Sequence, residues 1–146
     1  MRTTGIIVLA FAALAAPAAA VAQDQEVVVR GETARAEIER ILEADNLDTA
    51  RLDPSEVVEI MAGIARGGAP EDFWDAYQQH VLAWARLAEV VSRVRQHQND
   101  AAITDGQDEL PAAAASIGTT FNEVERIARL YHAQLPRPRI DTRTIA

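Results

Sequence analysis

His80 is the residue of this chain best placed to do chemistry. It lies three residues after Tyr77 and four before Trp84, so on a helix all three share a face. An imidazole at the edge of an apolar stripe can serve as a base, a hydrogen-bonding hook or a metal ligand. Each role needs a carboxylate to orient the ring, and Glu123, in the last apolar segment, is the candidate. A boundary histidine hydrogen-bonded across a helix interface explains the same residue without chemistry, and buried polar groups are usually of that kind. Thr119, Thr120, Asn122, Glu123 and Arg126 form a polar edge beside the last stripe, where Glu123 and Arg126 have ion-pair spacing.

Other chemistries are excluded by what is missing. The chain has no cysteine and no lysine. Thiol catalysis, cysteine-ligated zinc, covalent c-type haem, Schiff bases and the phosphate-loop lysine are therefore ruled out. Neither E-x-x-H nor H-E-x-x-H occurs, and His97 and His132 fall near helix ends, where the dipole alone favours them. A non-covalent haem would have to use Met61 and His132, which core packing and capping explain more simply. The run DNLDTARLD lacks the central glycine of a calcium loop. No catalytic residue, metal or cofactor is assigned. The formal net charge of −8 argues against nucleic acid, whose backbone demands a basic surface.

The elements that must position His80 are helical. Phe73, Trp74, Tyr77, Val81, Trp84, Leu87, Val91 and Val94 recur every three or four residues from Pro70 to His97, one wide apolar stripe on a long central helix. Both tryptophans lie on it. Upstream, Asp53-Pro54-Ser55-Glu56 is a helix start, with Asp53 as cap, Pro54 in the first position and Glu56 at the capping-box position. Val57, Ile60, Met61 and Ile64 would be its buried face, and Gly67-Gly68 its end. Such a short connection to Pro70 makes the two helices antiparallel neighbours or forces a sharp corner. A further short helix is expected from Thr33, with Ile38, Ile41 and Leu42 inward and Asp45-Asn46 as its stop. Leu47 and Leu52 would plug the core.

After a polar loop, Pro111 reopens the helix. Ile117, Phe121, Val124, Ile127 and Tyr131 keep the period. Gly118 weakens helix propensity locally, which suggests a close crossing against the bulky long helix; a start at Thr119 or Thr120 is the shorter alternative. Pro136-Arg137-Pro138 ends regular structure. Residues 136–146 are expected to be a flexible basic tail, with Arg137, Arg139 and Arg143 against Asp141.

The N-terminus has the layout of a secretory signal peptide. Arg2 precedes the apolar run GIIVLAFAALAAP, and Ala20-Val21-Ala22 supplies the small-x-small site, placing cleavage after Ala22. The run is too short and alanine-rich for a membrane span, so no stable membrane insertion is expected after cleavage. The periplasm is the expected compartment. Gln23 to Gly31, with Val27-Val28-Val29, reads as an extended arm lacking any strand to pair with.

The reading that emerges is an all-α protein: a small bundle of about four helices, two short and two long, behind a cleaved signal peptide. The segments are 1–22 signal peptide, 23–32 extended arm, 33–135 helical domain and 136–146 tail. Two short helices cannot cover two long ones, and a second copy would bury the remainder. The function this favours is binding of a protein or peptide partner, or homodimerisation, through an apolar groove or patch on the long pair. An envelope accessory, chaperone-like or inhibitor role fits. Phe73, Trp74, Tyr77, His80, Trp84, Glu123 and Tyr131 are the candidate binding residues. The competing class is a small periplasmic enzyme, or a metal- or haem-binding bundle, built on His80 and Glu123.

Overall fold

The computed structural model describes residues 18–96 and 108–137, with side chains described for 30–96 and 108–137. Among these residues there are four α-helices and no strand: α1 (Ala18–Ala44), α2 (Pro54–Ala62), α3 (Glu71–Gln96) and α4 (Leu110–Leu130). The expected signal region up to residue 17, and the tail beyond residue 137, lie outside the described residues.

α1 overturns the expected extended arm. Its backbone is helical from Ala18 through Val27-Val28-Val29 to Ala44, with no start at Thr33. β-Branched residues disfavour a helix by only about 0.5 kcal/mol each. Without a strand partner nothing opposes propagation from the turn nucleated by buried Ile38, Ile41 and Leu42.

α2 begins as its sequence suggests. The Ser55 amide donates to Asp53 Oδ1 at 3.1 Å and the Asp53 amide to Glu56 Oε2 at 2.8 Å. It ends four residues earlier than expected, because Gly63 already acts as C-cap, its amide donating to the Glu59 and Ile60 carbonyls. Gly67 serves a different purpose. It takes the corner into α3 at φ +58°, and a Cβ there would run into the Glu37 carboxylate and Arg40. The corner is held from α1 by Arg40, whose guanidinium donates to the Ala65 carbonyl at 2.7 Å.

Side-chain pairs fix the packing directions. Along α3 and α4, Asp72 meets Tyr131, His80 meets Thr120, and Arg93 meets Glu109, an antiparallel hairpin read end to end. Along α2 and α3, Met61 meets Tyr77 and Asp53 meets Arg95, so these two are antiparallel neighbours as well. Phe73 and Tyr77 are fully buried where the helices converge, with Val57, Met61, Val124 and Ala128 around them. Leu47 and Leu52 pack against this core from the α1–α2 connection. Truncating Phe73 to alanine here would cost about 3–5 kcal/mol.

α4 takes the longer of the two expected forms, with Pro111 in its first turn. Thr119 and Thr120 do not cap anything. Their hydroxyls bond back to the Ala115 carbonyl and to the Ser116 and Ile117 carbonyls, as mid-helix threonines do. The helix closes in a Schellman motif with His132 in the left-handed position (φ 56°), its amide donating to the Arg129 carbonyl and that of Ala133 to the Ala128 carbonyl, each at 3.0 Å.

Candidate functional site

The helices leave one side of the core unfilled. A cleft of about 360 Å³ opens between the end of α1, α2, α3 and α4, near the small end of ligand pockets, about 300–1,000 Å³. His80 and Trp84 reach it from α3, Met61 and Val57 from α2, and Phe121 and Glu125 from α4. Leu42 and Asp45 come from the end of α1, while Leu135 and Pro136, after α4, form part of its rim.

Gly118 lies exposed at the edge of this space. The expected close crossing at this glycine does not occur: nothing lies within 4 Å of where its Cβ would be. The missing side chain borders the cleft itself.

His80 is 4 % exposed. Its Nδ1 lies 2.9 Å from Thr120 Oγ1. The threonine hydroxyl has one proton, with the Ser116 carbonyl at 2.9 Å and the Ile117 carbonyl at 3.1 Å to receive it. With that proton on a carbonyl, Nδ1 is the donor and Nε2 the acceptor; with it given to Nδ1, the ring carries its own proton on Nε2. Burial pushes the imidazole down to about 4, a hydrogen bond to the Ile117 carbonyl working the other way. The ring therefore stays neutral at pH 7. Phe121 lies against it with ring centroids 5.2 Å apart.

The carboxylate sought for His80 is not Glu123. That residue is exposed and locked in a two-pronged ion pair with Arg126, both oxygens at 2.7 Å, and it forms no hydrogen bond to His80. The α4 face carrying Thr120 turns Glu123 to solvent. Two carboxylates border the cleft with His80: Glu125, which Arg129 holds, and Asp45. Burial raises the Asp45 pKa from 3.8 to about 7, and the Tyr77 hydroxyl offsets this only in part. That hydroxyl stands 3.5 Å from Asp45 Oδ1 and 3.4 Å from the Met61 carbonyl, both long for an O–H···O contact.

The other expected binding residues divide. Phe73 and Tyr77 are wholly within the core and have no surface to offer a partner. Trp74 is partly buried and tilted against Tyr77, with centroids 5.5 Å apart. Tyr131, half-buried, donates its hydroxyl to Asp72 Oδ1 at 2.9 Å. Only His80 and Trp84 of the seven line the cleft.

Compared with known proteins, the chain matches no family model, no curated protein and no solved structure. Its cleft stands on its own chemistry.

That chemistry is narrow. Among the described residues no three His, Asp or Glu side chains gather as a metal-holding group, and no helix is long and apolar enough to cross a membrane. Met61 is a core residue bordering the cleft, whereas His132 is an exposed helix terminus, so the two do not form a haem-ligand pair. Asp45 and Phe121 were not singled out from the sequence as site residues. A signal for Asp45 was present: 38, 41, 42 and 45 follow the i, i+3, i+4, i+7 pattern, which carries the buried face of α1 one residue past its end.

Proposed function

We propose that this chain is an exported helical binding protein that holds a small apolar ligand, or one apolar side chain of a protein partner, in the cleft beside His80 and Trp84. The observation that carries this reading is the cleft of about 360 Å³ bordered by His80, Trp84 and Phe121, with the exposed Gly118 on its edge. A helix-interior glycine costs about 1 kcal/mol relative to alanine, and protein cores are otherwise packed to crystal density. Gly118 is exposed with open space where a Cβ would stand, so a glycine there leaves the edge of the cleft clear at a cost in helix stability.

Binding is read through Trp84. In a Trp74→Phe background it is the sole indole, and a panel of small aromatic and branched aliphatic compounds should include some that change its emission saturably. Silence across the panel, together with unchanged emission in Gly118→Leu, would end this reading. Export is supported by the layout of residues 1–22; N-terminal sequencing of periplasmic material should begin at Gln23. A homodimer draws on Leu82 and Leu130, exposed by 59% and 63%, and light scattering on the purified protein decides it.

A second reading, acid–base catalysis, rests on Asp45 and His80 bordering one cleft with pKa values displaced in opposite directions. It requires turnover of a bound compound, lost in both Asp45→Asn and His80→Gln.

A further inference from the structure

We propose that the cleft binds small organic amines with an apolar body, such as arylalkylamines, the ammonium taken up by the Asp45 carboxylate and the hydrocarbon by Trp84 and Phe121. This names the ligand class of the binding reading above and rests on it.

The polar groups bordering the cleft point to a donor rather than an acceptor as ligand. Asp45 offers a carboxylate that accepts from the Tyr77 hydroxyl only at 3.5 Å, long for such a bond. When the Thr120 proton goes to a carbonyl, His80 holds its own proton on Nδ1 and Nε2 is an acceptor. Glu125 adds a second carboxylate, though Arg129 holds it at 2.8 Å from the solvent side. Among the described residues no arginine lines the cleft. At the rim, Arg137 contributes its carbonyl, which accepts from Asn46 Nδ2 at 3.0 Å, and its side chain is exposed.

A carboxylate ligand would meet two carboxylates and no cation. A neutral hydrocarbon would leave Asp45 facing apolar surface, which costs desolvation without return. An ammonium replaces the solvation Asp45 has lost, and the Trp84 and Phe121 rings favour a cation near their faces. The volume suits one ring or a short branched chain.

The test is calorimetric titration of the purified protein at pH 8 with three probes of one shape: 2-phenylethylamine, 2-phenylethanol and 3-phenylpropionate. The amine should bind at least about tenfold more tightly than the alcohol, the worth of one charge-assisted hydrogen bond, and the carboxylate most weakly. Asp45→Asn should remove the amine's advantage and leave alcohol affinity within about twofold. Should that variant fail to fold by circular dichroism, the wild type still decides: the amine's advantage should shrink from pH 8 to pH 5 as Asp45 takes up its proton. Equal binding of amine and alcohol, or an advantage that survives Asp45→Asn or the drop in pH, would overturn the amine assignment and leave the cleft as a neutral site. If none of the three probes binds, the amine assignment falls, and the broader panel then decides whether the cleft reading falls with it.

Discussion

The Thr120 hydroxyl stands 2.9 Å from His80 Nδ1 while it bonds back to its own helix, at 2.9 Å from the Ser116 carbonyl. The residue that satisfies the helix is also the one whose proton decides the tautomer of the buried imidazole. Thr120→Val keeps the shape and removes the oxygen, leaving Nδ1 without its hydroxyl partner. A loss of about 1–2 kcal/mol in urea unfolding is expected. Thr120→Ser should recover most of it. A valine variant as stable as wild type would mean that the Ile117 carbonyl satisfies the ring unaided.

Asp45 and His80 pull the pH dependence of stability in opposite directions. Asp45 has a folded value of about 7 against 3.8, so its contribution is full below pH 3.8 and lost as pH rises through 7. His80 has a folded value of about 4 against 6.5. Its neutral burial is undisturbed above pH 6.5 and is lost as pH falls through 4. Between these limits the two slopes oppose. The Tyr77 hydroxyl beside them stays protonated across this window, burial and the Asp45 carboxylate pushing it further up. Asp45→Asn should therefore unmask a stability that climbs from pH 4 to 6.5, and His80→Gln one that falls from pH 4 to 7. Each slope is bounded by about 1.4 kcal/mol per pH unit for one proton. Denaturant midpoints at stepped pH measure both, and parallel profiles in the two variants would contradict the assignment.

Gly118 is expected to trade stability against binding. Gly118→Ala adds a methyl into open space and should raise stability by about 1 kcal/mol through helix propensity alone. Gly118→Leu should remain folded and weaken 2-phenylethylamine binding at least about tenfold by occupying its place. Thermal melts and calorimetry on the same two proteins separate the effects.

His132 occupies a left-handed position, φ 56°, that costs an L-residue roughly 1 kcal/mol. His132→Gly should raise the melting temperature, and His132→Val should lower it because a β-branched chain tolerates that conformation worst. The reverse order would show that the imidazole makes a contact worth more than the backbone strain.

Much of the architecture was legible because it rests on local rules. The stripe from Phe73 to Val94, the Asp53 cap and Pro111 each state an element within a few residues of chain. What escaped depended on comparing distant segments. Glu123 and Thr120 are both plausible partners for His80 until the rotation of α4 is known, and that rotation is set by Val124, Ile127 and Ala128 against the core. Asp45 looked like a helix stop because a charged residue after a stripe usually is one. Its burial follows only from Tyr77 and Trp84 standing across from it. A helix-interior glycine such as Gly118 marks either close approach or open space, and the sequence does not distinguish them. Val27-Val28-Val29 was misread because strand propensity was weighed without the pull of the neighbouring helix.

The segment after α4 is fastened at two points: Gln134 N donates to Glu39 Oε1 on α1, and Asn46 Nδ2, just past the end of α1, donates to the Arg137 carbonyl. These join residues 95 and 91 positions apart in the chain. Loop closure of that length costs chain entropy before its contacts form, so Leu135 and Pro136 are expected to reach the rim after the hairpin of α3 and α4 has formed. The cleft is thus an event late in folding as much as a place. A ligand that recognises it selects chains that have finished, and at saturating concentration draws the last docking step to completion by mass action.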